Sequence, residues 1–138
     1  MFVSRVPRSA LAALLWIALV LWAATILWLS SLTLKELPSA AFLVSDKFNH
    51  FIAFAVGGWL AASALRTSRA SAPVGRQILL AIALVAAFGA LDEMSQLLTP
   101  GRAGGDLYDW IADFLGAVAG ASLVRLTHGY LERLVPRP

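Results

Sequence analysis

The chain contains no cysteine. That excludes a disulfide framework, a thiolate metal site and a cysteine nucleophile. Charge is also scarce. Asp, Glu, Lys and Arg make up 14% of the 138 residues, against about a quarter in an ordinary soluble domain. Internal repeats and low-complexity stretches are lacking, so residues 1–138 read as a single domain. Eleven basic residues give a net charge of +3 and a pI near 10. They are scattered through apolar sequence and form no basic domain, so no nucleic-acid partner is expected. What fills the chain instead is apolar: 59% of the residues are hydrophobic and the mean hydropathy is +0.77. Such a composition suits lipid as solvent.

A bilayer core of about 30 Å needs roughly 20 apolar residues in a helix rising 1.5 Å each. Four stretches meet that need: Leu11 to Leu29, about Asp46 to Leu65, Gln77 to Leu98, and Asp106 or Tyr108 to Leu126. They are separated by Leu37-Pro38, by Arg66 to Arg76 around Pro73 and Gly75, and by Thr99-Pro100-Gly101 with Gly104-Gly105. The expected fold is all-α, a polytopic four-transmembrane-helix bundle. The first span exceeds a signal-peptide core and is followed by no convincing small-x-small site, so it is read as uncleaved. Eight basic residues fall on the side holding both termini (Arg5, Arg8, Arg66, Arg69, Arg76, Arg125, Arg133, Arg137). Three fall on the other (Lys35, Lys47, Arg102). That asymmetry predicts cytoplasmic termini, N-in and C-in.

The polar residues within the spans converge on one end. Asp46, Lys47 and His50 share the start of the second helix, and Asp92, Glu93 and Gln96 lie in the last turns of the third. Asp106, Asp109 and Asp113 recur at i, i+3 and i+7 along the fourth. Counting back from Leu126 puts Asp113 about 21 Å into the helix, well inside the membrane, where an ionisable group normally faces a bundle interior or a cavity. Structural roles are open for several of them. Asp106 suits a helix N-cap, and Asp109 and Asp113 suit partners for Lys47 or Arg102. Glu36 reads as solvated, and His128 has no assigned role. Gly116-x-x-x-Gly120, flanked by alanines, offers a face for close helix approach. The tail from Arg125 to Arg137 reads as an amphipathic juxtamembrane turn attracted to anionic lipid.

Asp46-Lys47-x-x-His50-Phe51 opening one helix, Glu93-x-x-Gln96 closing the next, Pro100-Gly101-Arg102, and Asp109-x-x-x-Asp113-x-x-Gly116 together resemble the VanZ-like family over about residues 46–120. Members are small bacterial membrane proteins, and the name comes from one associated with resistance to the glycopeptide teicoplanin. The resemblance implies a multi-pass protein of the bacterial cytoplasmic (inner) membrane. It marks Asp46, Lys47, His50, Glu93, Gln96, Arg102, Asp109 and Gly116 as the family's positions, and Asp113 stands where the family is expected to carry Asn.

From these residues an extracytoplasmic-facing polar pocket is expected. Lys47 and Arg102 would hold an anionic head group, with Gln96, Asp109 and Asp113 completing the binding set. His50, oriented by Asp46, would serve as acid or base with Glu93 as partner, or Glu93 would ligate a divalent cation, the one candidate cofactor. The partners expected are membrane lipid and a lipid-linked or lipidated cell-envelope molecule. The same layer equally suits a noncatalytic site that binds an amphiphile or organises the envelope, and the sequence leaves open whether anything is turned over. Transport is the weakest reading, because four short helices without repeats leave little room for alternating access.

Overall fold

Each helix starts where the sequence supplies a reason to start. In the computed structural model, which describes residues 6–135, Pro7 and Pro73 stand immediately before α1 (Arg8–Ser30) and α3 (Val74–Gln96). Ser45 precedes α2 (Asp46–Ser68), its hydroxyl accepting from the Phe48 N–H at 3.3 Å. Asp106 caps α4 (Leu107–Arg133), its Oδ1 accepting from the Tyr108 N–H at 2.7 Å. A short 3-10 helix, Ser39–Phe42, lies between α1 and α2. Among the described residues there is no strand, and all four α-helices are long and apolar enough to cross a membrane.

The spans expected from hydropathy are therefore present, but the helix bounds differ from them. α2 continues to Ser68, α3 begins three residues before Gln77 and ends two short of Leu98, and α4 runs on to Arg133. Residues 125–133 thus prolong α4 rather than forming a separate turn. Hydropathy marks where lipid ends, whereas a helix ends where its backbone hydrogen bonds do. Arg5 and Arg137, counted in the basic asymmetry, lie outside the described residues.

The N–H of Val6 donates to the Leu134 carbonyl at 2.8 Å, and Trp16 Nε1 donates to Ser68 Oγ at 3.0 Å. The start of α1, the end of α2 and the end of α4 therefore share one end of the bundle, the arginine-rich end. The broadest contact is between α2 and α4, and glycine makes it. A Cβ on Gly116 would strike the Phe51 carbonyl, and one on Gly120 the Ala55 carbonyl. At Gly58 it would meet the Ala117 backbone. Ala61, Ala117 and Ala121 complete this fully buried seam, so the two backbones touch directly, as lipid-embedded helices require in the absence of a hydrophobic drive between them. Trp22 of α1 covers Gly57, packs edge-on against Phe54 at 5.4 Å, and donates Nε1–H to the Ala53 carbonyl at 2.9 Å.

Outward faces are apolar: Leu14, Val20, Leu79, Leu91 and Leu126 are exposed, while Gln77, Asp92 and Asp113 are buried. That inverts a soluble protein and is the arrangement lipid favours.

Candidate functional site: a polar layer beneath an apolar pocket

At the end opposite the arginines, three helices bring their acids together. His50 of α2 projects between α3 and α4, and its Nδ1 lies 2.8 Å from Asp113 Oδ1. The two are hydrogen-bonded, and with Asp113 ionised it is the imidazole N–H that donates. Glu93 Oε1 is next, 3.9 Å from the same nitrogen. Asp46, expected to orient the imidazole, stands 4.0 Å from Nε2 with its side chain 72% exposed. The orienting carboxylate is therefore Asp113. The reason is helix geometry: Asp46 occupies the first position of α2 and points to the surface, whereas Asp113 faces inward from α4 and is wholly buried.

Lys47 turns to α4 as well. Its Nζ lies 2.8 Å from Asp109 Oδ1 and 3.4 Å from Asp106 Oδ2, so this ammonium is neutralised within the chain and is not a free anion receptor. Asp106 itself, outside the spanning segment, is held below the usual aspartate range by the Tyr108 N–H it accepts and by Lys47 beside it. Glu93 has a further task. Its Oε2 accepts from the Asp106 N–H at 3.0 Å and its backbone carbonyl from the Gly105 N–H at 3.1 Å, tying the α3–α4 loop back over the end of α3. Gly105, at φ +75°, makes the turn possible, and a Cβ on Gly104 would collide with the Leu97 amide.

Beside this layer lies a pocket of about 460 Å³ between the end of α1, the start of α2 and the end of α3. Gln96 organises its polar floor. Its amide donates to Asp92 Oδ2 at 3.2 Å and Glu93 Oε1 at 3.4 Å, and reaches Ser30 Oγ at 3.5 Å. Its oxygen accepts from Arg102 Nη2 at 3.1 Å. Thr99 ties this end to α1 by donating to the Ser30 carbonyl at 3.0 Å. The walls and roof are apolar, from Ile26, Leu29 and Ile52 to Leu37, Pro38 and Val44, with the roof pinned by Asn49 Nδ2 donating to the Ala41 carbonyl at 2.8 Å.

Of the residues expected at the site, Asp46, His50, Gln96 and Arg102 line the pocket. Glu93 and Asp113 lie behind His50, and Lys47 and Asp109 form the adjoining ion pair. Ser30, Asp92 and the 37–44 roof also line it and were not among the expected site residues. Asp92 had a signal, its position four before Gln96. Ser30 and the roof had none, since they arrive from a segment with no polar pattern. Glu36, expected to be solvated only, is exposed and also closes a local turn. Its Oε2 accepts from the Thr33 hydroxyl at 2.7 Å and amide at 2.8 Å, holding this carboxyl below its usual range.

His50, Glu93 and Asp113 each present one ligand atom within 4.8 Å of the others, as do Asp46, His50 and Asp109. The first set is enclosed, and its imidazole and two carboxylates suit a divalent cation. The His50–Asp113 pair also suits proton transfer, since one nitrogen is fixed and the other is turned toward Asp46 and the pocket.

A family model described as VanZ/LLP1 matches residues 10–128. The match takes in α1 as well as the three helices that carry the acids. No curated protein and no solved structure matches the chain.

Proposed function

The chain belongs to the VanZ/LLP1 family, and on that footing we propose that it binds the head of an anionic, lipid-linked cell-envelope molecule at the pocket beneath the 37–44 roof. In this reading it is a multi-pass protein of the bacterial cytoplasmic membrane, with both termini cytoplasmic and the pocket facing outward. The observation that carries the reading is the pocket's two-part lining, apolar walls over a floor of Ser30, Asp92, Gln96 and Arg102. Such a lining fits an amphiphile at its junction of head and chain.

Arg102 is the cation available to an anionic head. Gln96 takes one N–H from its Nη2, and among the described residues no carboxylate lies within ion-pair distance of it. Lys47 is already engaged by Asp109 and Asp106. A divalent cation held by His50, Glu93 and Asp113 would offset the acids around the head. If the bound molecule is turned over, His50 is the acid or base, positioned by Asp113. Sequestering or altering an envelope lipid at this site would link the protein to teicoplanin resistance.

One observation favours the noncatalytic alternative of amphiphile binding alone. Asp92, Gln96, Ser30 and Arg102 largely satisfy one another, and a floor of that kind keeps its shape and can recognise a ligand without reacting with it.

The test is binding of a long-chain polyprenyl phosphate to the full chain in lipid nanodiscs. Arg102→Gln is expected to weaken binding by about tenfold or more, the scale of a lost charge-assisted hydrogen bond, and Arg102→Lys by less. Arg102→Gln binding as tightly as the wild type would overturn the reading.

A further inference from the structure

The arginine-rich end carries a second cavity, of about 490 Å³, lined by Arg66 of α2, Val74 of α3, and Val124, Arg125, His128 and Gly129 of α4. Arg125, His128 and Gly129 stand at i, i+3 and i+4, so they share one face. Arg66 is held ready: its Nη1 donates to the Ala70 carbonyl at 2.9 Å and the Ala72 carbonyl at 3.3 Å. Both acceptors are neutral, so the guanidinium charge stays uncompensated. Neither Arg66 nor Arg125 has a carboxylate within 4.0 Å among the described residues. The acid nearby, Glu132, is taken by Arg8 at 3.7 Å and by His128 Nε2 at 3.0 Å. The other imidazole nitrogen, His128 Nδ1, is buried without a partner. At Gly129 a Cβ would meet nothing within 4 Å, so the cavity is open there.

The surroundings set the depth. Trp16 donates to Ser68 Oγ and Trp59 to Thr127 Oγ1, at 3.0 and 2.8 Å. Both indoles thus lie apolar body in the bundle and polar tip at this end, as tryptophan does at the level of lipid headgroups. α4 has 27 residues, about 40 Å of helix, and so its basic end reaches beyond a hydrocarbon core of about 30 Å.

We propose that Arg66 and Arg125 form a phosphate-binding site at the headgroup level, at the end opposite the polar pocket. The guanidiniums supply planar paired donors of the kind that match phosphate oxygens. His128 lines the cavity but spends its Nε2–H on Glu132, which leaves Nδ1 an acceptor with no donor for phosphate, and Val74 and Val124 offer an apolar flank to a glycerol backbone. The phosphate comes from an anionic phospholipid of the surrounding leaflet or from free phosphate in the adjoining solution.

The experiment is native mass spectrometry of the full chain in detergent, titrated separately with phosphatidylglycerol, phosphatidylcholine and inorganic phosphate. One phosphatidylglycerol is expected to bind ahead of phosphatidylcholine, and Arg125→Gln and Arg66→Lys should each weaken it by about tenfold. Arg69→Gln removes the same charge from the neighbouring surface outside the cavity and should leave binding unchanged. The Arg125 side chain makes no hydrogen bond among the described residues, so its variant should fold normally even if Arg66→Lys loosens the 66–76 loop. Inorganic phosphate that competes with phosphatidylglycerol identifies the phosphate group itself as the ligand. Phosphatidylglycerol binding without such competition identifies the lipid as the source. Arg125→Gln binding like the wild type, or Arg69→Gln losing as much as Arg125→Gln, would overturn the site.

Discussion

The two ends of the bundle handle charge in opposite ways. At the acid-rich end Asp92, Glu93, Asp109 and Asp113 are buried; Asp109 faces Lys47 and Asp113 faces His50, while Asp92 and Glu93 accept from the neutral amides of Gln96 and Asp106, and Asp92 Oδ1 and Asp113 Oδ2 have no partner. At the other end Arg66, Arg69, Arg76, Arg125 and Arg133 have no carboxylate within 4.0 Å among the described residues, and Arg133 instead lies over the Tyr130 ring at 5.1 Å. Depth explains the contrast. A charge below the headgroups must be answered inside the protein, because hydrocarbon answers nothing. A cation at the headgroup level can be answered by lipid phosphate. Buried charge is thus held by neighbours within the chain, and the arginines of the other end are left free of carboxylate partners among the described residues.

The largest effect should come from breaking the frame both ends share. Gly120→Leu places a side chain where the Ala55 carbonyl already sits. Backbone cannot step aside as a flexible side chain does, so α2 and α4 must separate. A cost above about 3 kcal/mol is expected, at or beyond the upper range of core overpacking. Fluorescence-detected size exclusion should show loss of the monodisperse folded species. A Gly120→Leu protein that melts like the wild type would mean that α2 and α4 do not meet this closely.

Next comes a matched pair, one substitution at each end. Asp113→Ala removes the acceptor of the buried His50 Nδ1–H and should cost about 1–3 kcal/mol, the penalty for orphaning a buried polar group. Asp113→Asn keeps an oxygen in the same place, and it should stay close to the wild type. At the opposite end Arg125→Gln should leave thermal stability unchanged in detergent, because nothing in the chain depends on it. Equal destabilisation by Asp113→Ala and Arg125→Gln would erase the distinction between the two ends.

This contrast was partly legible in the sequence. Long apolar runs fix the four spans, and of the three acids spaced toward one face, Asp109 and Asp113 share the buried face of α4 while Asp106 caps the helix just before it. The seam could be read too, since Gly116-x-x-x-Gly120 is a local pattern with a local meaning. Pairing between helices could not. Whether His50 meets Asp46, four residues away on its own helix, or Asp113, 63 residues away, depends on how α2 and α4 rotate about their axes, which the glycine contacts decide. Ser30 and the 37–44 roof were hidden for the same reason. A lone serine at a helix end and an apolar loop acquire a role only when tertiary packing sets them across from Asp92 and Gln96.

The smallest effect concerns the rim of the acid-rich end, where solvent returns and the rules of the aqueous face apply. Asp106 caps α4 through Oδ1 and touches Lys47 through Oδ2. Its carboxyl is held below the ordinary value of 3.8, so the ionised form is favoured more in the folded than in the unfolded chain. That contribution is complete above the ordinary value and is lost as pH falls through the lowered one. Asp106→Asn should keep the cap, since asparagine serves as well there, while losing the acid-dependent part. At neutral pH the wild type should melt slightly above Asp106→Asn, by the part the ionised carboxylate contributes, and the two should converge in acid. Between neutral pH and about pH 3 the wild type should lose slightly more stability than Asp106→Asn, a difference in slope that differential scanning fluorimetry at matched ionic strength can read. Parallel slopes would show that Asp106 is solvated like any surface acid, and the rim would then contribute a cap but no charge coupling to the layer below it.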